Sequence, residues 1–291
     1  MAGRAIWSVV FGIGFIVLAT ANSAGYRYAA SDQAFYVPAV LRHIDPALFP
    51  RDAPLIDSQA RLTLVDEAIA STLRLTGTTL PRLFVALYLV TLVVLVSGAL
   101  RLGRHFLDQP WSLAALAAAL SLRHAIAKTG ANTLEGYFHP RQLAFAISVW
   151  AIVCFLERRR LLCAALLIAA AAIHPTTALW FTVLLSAAAV VEYRRLWRRS
   201  AIIVCAAAAA AVWMAIVGPL AGRFVRMDAA WLAVLADKDY LFPAGWPLDA
   251  WLTNLVTVPV GSDGRVTLYN RSSGATDLVA DVSGYYLGSA G

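Results

Sequence analysis

Between residues 142 and 219 the chain passes through four apolar stretches joined by connections of only a few residues, and the charge of those connections alternates. "ERRR" (157–160) and "YRRLWRR" (193–199) are strongly basic, whereas "HPTT" (174–177), between them, carries neither Lys nor Arg. Membrane topology is written this way, because short basic loops stay on the cytoplasmic side. Composition agrees: 60% of the residues are hydrophobic and 14% charged, against about 45–50% and about 25% in soluble domains. The sequence reads as an integral, all-α polytopic membrane protein.

Counting apolar runs gives about seven transmembrane helices, near 5–24, 82–100, 109–123, 142–157, 161–174, 176–192 and 201–219. With "HPTT" outside, parity puts Arg4 and "RLGRH" (101–105) inside, and the segments 25–81 and 123–142 outside. The first run has the single Arg and apolar core of a signal peptide. Its length, and the many runs that follow, favour an uncleaved first helix with a cytoplasmic N-terminus. The net charge of +7 lies in short clusters beside apolar runs, with no nucleic-acid motif among them. Cys154, Cys163 and Cys205 fall inside apolar runs without metal-ligand spacing and read as small apolar residues.

The 25–81 segment is too long and polar for a simple connection. "SDQAFYVPAVLRHI" (31–44) opens on Ser31-Asp32, a plausible cap, with Pro38 expected to kink the helix. "RLTLVDEAIASTLRLTG" (61–77) sets Leu62, Val65, Ile69 and Leu73 on one face and stops at Gly77. Both read as interfacial helices on the outer surface, with "DPALFPRDAP" as a turn-rich linker. Residues 254–291 alternate apolar and polar residues around the turns "GSDG" and "SSGA", which predicts a small β-hairpin tail outside the membrane.

Two resemblances add to this. With "YRYAASDQAFYVPAVLRHIDPALFPRD", "HAIAKTGANTLEGYFHPRQLAFA" and "IHPTTALWF", residues 1–255 resemble bacterial membrane glycosyltransferases of the GT-C type. In that superfamily a first helix leads into a long outer loop with two juxtamembrane helices and an early acidic residue, here matched by Asp32. The resemblance implies sugar transfer from a polyprenyl-phosphate donor on the extracytoplasmic face. The tail "NLVTVPVGSDGRVTLYNRSSGATDLVADVSGYY" (254–286) resembles a repeat unit of secreted actinobacterial surface proteins. The expected organisation is a GT-C-like domain, incomplete, over 1–253 and a β-rich tail over 254–291. The junction reads as a natural fusion or, preferred, as a truncated or chimeric frame.

Such transfer needs a carboxylate to take the acceptor's proton and fixed positive charge to hold the donor phosphate. Asp32 is the candidate base, set against a plain helix cap, and Asp52 is the second, set against turn chemistry. Arg42, His43, Arg123, Lys128, Glu135, His139, Arg141 and His174 are the candidate substrate-binding residues on the same face. Arg141 suits a phosphate clamp or an interfacial anchor. His139 and His174 each precede a proline at a helix entrance, where free N–H groups would receive an anion. Glu135 is either solvated or, if buried against Lys128 or Arg141, structural or catalytic. A divalent ion held by carboxylate oxygens would share the phosphate-binding task. No metal site is assigned, because His43, His124, His139 and His174 lack helical ligand spacing.

The expected partners are membrane lipid and a lipid-linked sugar, with the oligomeric state open. The competing reading is a non-enzymatic carrier of lipid-linked substrate or an assembly partner. A transporter would carry ionisable groups at mid-span, and those positions here are mostly Ala, Leu, Val and Ile.

Overall fold

A computed structural model describes residues 2–61, 63–124 and 132–192, with isolated positions between 209 and 233. The chain divides into two units, Met1–Trp246 and Pro247–Gly291, and all described residues belong to the first. The expected β tail, the seventh span at 201–219 (apart from a few positions) and Lys128 lie outside them.

Every described element is a helix. They are α1 (Ala2–Asn22), α2 (Gln33–Ile44), α3 (Ala53–Ala60), α4 (Val65–Thr76), α5 (Leu80–Gly103), α6 (Pro110–Leu120), α7 (Pro140–Leu156), α8 (Arg160–Ile173) and α9 (Pro175–Glu192). Three of the apolar helices begin on a proline, whose fixed φ and missing N–H suit the first helical position.

Among the described residues two helices, α5 and α9, are long and apolar enough to cross a membrane. The other expected spans fall on α1, whose described apolar part is Val9–Asn22, and on the shorter α6, α7 and α8. An apolar run becomes a span only if its helix is long enough, and at 1.5 Å per residue the 11 residues of α6 cover only about 16 Å. Helices α7 and α8, with 17 and 14 residues, also fall short of the roughly 30 Å hydrocarbon core. Helices α7, α8 and α9 match the apolar runs 142–157, 161–174 and 176–192 to within two residues at each end, so the runs themselves are short.

The outer loop holds three helices where two are expected, because α3 begins inside the supposed linker, with Pro54 in its first turn. Helix α2 continues through Pro38. Helix α4 behaves as its pattern predicts: Val65, Ile69 and Leu73 are buried, and Gly77 ends it in the left-handed region at φ 64°.

Helices α1 and α5 run antiparallel, with the Thr20 and Tyr88 hydroxyls 2.9 Å apart near one end. Their core is built from Phe15, Ala19, Phe84, Tyr88, Leu92 and Leu95, which meets Phe138 and Leu134 from the segment before α7. Helices α7, α8 and α9 pack through the fully buried alanines 144, 170 and 178; small residues there let helix axes approach closely. Consecutive helices turn back at two common ends. At one, Asn22 donates to the Ser121 carbonyl, Phe84 packs on Phe138, and Leu64 N–H reaches the Ala172 carbonyl. At the other, Arg101 of α5 and Arg159 before α8 meet Glu157 after α7.

Candidate functional site

The first of these ends is built by two connections pressed together, 23–32 and 132–139. Arg27 N–H donates to the Gly136 carbonyl at 2.7 Å, and the buried Gln33 donates to the Phe138 carbonyl at 2.9 Å while accepting from Ala29 N–H. Gly136 makes the approach feasible: a Cβ there would lie 2.5 Å from the Gly25 carbonyl oxygen and 2.7 Å from that of Ser23. The backbone leading to Asp32 is strained, with Ala24, Ala29 and Ser31 all at φ between 50° and 60°.

This arrangement delivers the Asp32 carboxylate to His139, 107 residues away, with Oδ2 at 2.9 Å from Nε2. The histidine's other nitrogen, Nδ1, accepts the Arg141 N–H at 3.0 Å. A ring that accepts at Nδ1 carries its proton on Nε2, so His139 donates to Asp32. His139 is buried and its ring is packed by Tyr36 and Tyr137, whereas the Asp32 side chain is 55% exposed. The hydrogen bond from His139 holds the Asp32 carboxyl below the usual carboxylate range, against partial burial and with help from Arg141. Asp32 occupies the cap position of α2, yet its side chain makes no cap bond.

Arg141 donates through Nη2 to Glu135 Oε1 at 3.0 Å, and Glu135 is buried, with a side chain 8% exposed. The conditional reading of Glu135 therefore resolves to a buried partner of Arg141. His174 lies beside His139, ring centroids 6.4 Å apart. Its Nδ1 accepts from Thr177 N–H and stands 2.8 Å from the Thr177 hydroxyl. Burial, then the charges of His139 and Arg141, press the His174 pKa down to about 4.

Both His-Pro steps are thus helix caps made by the imidazole, and this changes the expected anion site. At α7 Pro140 has no N–H, Arg141 N–H goes to the His139 ring, and Gln142 and Leu143 N–H go to the His139 carbonyl. No N–H in that first turn is left for a phosphate, so positive charge for an anion must come from the Arg141 side chain.

Sequence reading missed Asp66. It sits in the first turn of α4, is 2% exposed, and its Oδ1 has no hydrogen-bond partner within the protein. Burial, reinforced by Glu67, pushes its pKa from 3.8 up to about 7. Burial, then the charges of Asp32 and Asp66, raise the Tyr36 hydroxyl, which places both carboxylates around the ring that packs on His139. The signal was present: Asp66, Ile69, Ala70 and Leu73 follow i, i+3, i+4, i+7, so a carboxylate heads the apolar stripe. Buried Ser23 Oγ, Tyr26 OH and Gln142 Nε2 at the same end also have no hydrogen-bond partner within the protein.

The other expected residues lie apart from this group. Arg42 grips both oxygens of Asp57 at 3.0 Å and the carbonyls of Pro46 and Leu48, which fixes its own loop. His43 offers its carbonyl to Arg74. Asp52 is exposed, and its carbonyl accepts from Leu55 and Ile56 N–H at the start of α3. Arg123 is exposed, and His124 Nε2 lies 3.2 Å from the Ala119 carbonyl; no described contact ties either to Asp32. Among the described residues no three of His, Cys, Asp and Glu gather to hold a metal ion. Comparison of the chain with protein families, with curated proteins and with solved structures finds no match.

Proposed function

We propose that the chain is a multi-pass protein of the plasma (inner) membrane whose Asp32–His139–Arg141 group transfers a sugar from a polyprenyl-phosphate donor on the extracytoplasmic face. The observation that carries it is the juxtaposition of a half-exposed, ionised Asp32 with the Arg141 guanidinium, which its bond to Glu135 holds in place. In the proposed step the acceptor oxygen bonds to the sugar's anomeric carbon, and the bond from that carbon to the phosphate oxygen breaks. The electron pair leaves with the phosphate beside Arg141, and the acceptor proton passes to Asp32.

Exposed apolar faces support the membrane placement. Helix α9 leaves Leu179, Trp180, Val183, Leu184 and Val191 more than half exposed, an apolar face of the kind that marks a membrane or partner contact. Alternating turns at two common ends support passes by α1 and α5 to α9, with N-terminus inside and the tail outside. The helices too short to cross alone would be met by local thinning of the bilayer. The expected seventh pass stays part of this proposal.

The test is transfer of labelled sugar from polyprenyl-phosphate to acceptor by purified full-length protein, with Asp32→Asn and Arg141→Ala beside wild type. Loss of turnover in Asp32→Asn and of donor binding in Arg141→Ala is expected; unchanged binding and turnover in both would sink the reading. A carrier without turnover is the second reading, favoured by the lowered pKa of Asp32, since a carboxylate so easily ionised is a weak base. Donor binding by wild type with no transfer to any acceptor would select it.

A further inference from the structure

At the opposite end from Asp32, a groove of about 650 Å³ opens between α1 and α5, within the roughly 300–1,000 Å³ range of ligand clefts. Its walls are Val9, Ile13 and Ile16 of α1 and Val93, Val96 and Leu100 of α5, closed at the back by Trp150 of α7. The back wall is fixed, because Trp150 Nε1 donates to the Val94 carbonyl at 3.0 Å and its ring fills the space a Cβ on Gly98 would need. The one hydroxyl in the lining, Ser97, is turned onto the Val94 carbonyl. On the α1 side Gly12 lines the groove with nothing within 4 Å of where its Cβ would stand. The groove is therefore dry along its length.

Its chemistry changes at the end near Val9, where Arg101 and Arg104 complete the lining. Glu157 accepts from Arg101 Nε there, and Arg159 also lies within reach of its carboxylate, so Arg101, Arg104 and Arg159 outnumber Glu157 in the lining and beside it. Trp7 and Trp111 meet at a tilt at this end, ring centroids 6.3 Å apart and largely exposed, as aromatic side chains are at the level of lipid headgroups.

We infer that the groove between α1 and α5 binds an anionic phospholipid, one hydrocarbon chain lying along Ile16 to Val9 and the phosphate at Arg101 and Arg104. It rests on the membrane placement proposed above and is independent of the transfer chemistry. The apolar walls select a chain, the flat guanidinium forks suit phosphate oxygens, and the charge balance at the mouth selects an anionic over a zwitterionic headgroup.

The experiment is native mass spectrometry of the full-length protein in detergent, titrated with phosphatidylglycerol and with phosphatidylcholine of the same chains. Wild type is expected to retain phosphatidylglycerol more tightly, and Arg104→Ala to lose about fivefold of that preference. Arg101→Lys keeps the charge beside Glu157 and should keep most of it. Gly12→Leu fills the groove without a clash and should weaken both lipids together, leaving the melting temperature unchanged. Equal binding of the two lipids by wild type, or a preference indifferent to Arg104→Ala and Gly12→Leu, would overturn the inference while leaving the membrane placement intact. Protein that stays monodisperse without detergent would overturn both.

Discussion

The two ends of the helix bundle both carry clusters of ionisable groups and use them differently. At the Glu157 end the arginines are open, with side chains of Arg101, Arg159 and Arg158 exposed at 47%, 63% and 68%. Arg101 and Arg159 share the Glu157 carboxylate, and Arg158 pairs with Glu192. At the Asp32 end His139 and Glu135 are buried at 4% and 8%, and the key bond joins residues from two distant connections over a strained backbone. Charge alone does not make a site. What separates the ends is that one holds His139 and Glu135 in buried contacts with Asp32 and Arg141, and the other pairs more exposed arginines with Glu157 and Glu192.

The largest expected contrast is in activity. Asp32→Asn should lower sugar transfer by about 10²–10⁴-fold, the usual worth of a positioned acid or base, while Glu157→Gln should leave it within about twofold. A matching loss in both variants would erase the distinction between the ends.

Titration should separate them next. Asp66 has a folded pKa near 7 against 3.8 ordinarily, so the folded state binds the extra proton and stability falls as pH rises from about 4 to about 7. His174, near 4 against 6.5, has the opposite sign: its contribution is lost as pH falls through the same window. The two slopes oppose each other in wild type. In Asp66→Asn the melting temperature in detergent should rise with pH between 4 and 6.5, and the variant should gain on wild type by up to on the order of 3 kcal/mol near neutrality. His174→Asn should show the reverse slope. Parallel pH profiles for all three proteins would count against these opposed contributions of Asp66 and His174.

Smaller effects probe the packing. Gly136→Ala forces a Cβ into two backbone carbonyls and should cost about 1–3 kcal/mol of stability, read by thermal unfolding. Gly12→Ala, in open space, should be neutral or stabilising within about 1 kcal/mol. The smallest effect belongs to Arg158→Ala, which removes an exposed bridge to Glu192 and should change stability by less than about 1 kcal/mol.

Much of the Asp32 end was legible in the sequence because its signals are local. The two His-Pro steps, the nearness of Glu135 to Arg141 and the Gly77 stop all act within a few residues, where spacing fixes geometry. The Asp32–His139 bond was not legible, since nothing local couples residues 107 apart. Asp66 was passed over because the stripe was read from Leu62, Val65, Ile69 and Leu73, although Asp66 heads the same buried face. Helix length was legible by contrast: the apolar runs 142–157, 161–174 and 176–192 match α7, α8 and α9 to within two residues. The grip of Arg42 on Asp57 and two carbonyls shows the converse, a cation placed on the expected face and wholly taken up by its own loop.

Whether the two ends face different compartments underlies the whole contrast, and one labelling measurement decides it. Single cysteines at 176 and 158, in a background without Cys154, Cys163 and Cys205, would be exposed to an impermeant thiol reagent on intact cells. Labelling at 176 and protection at 158 until the membrane is opened is the predicted result. Labelling of 158 from outside would contradict it.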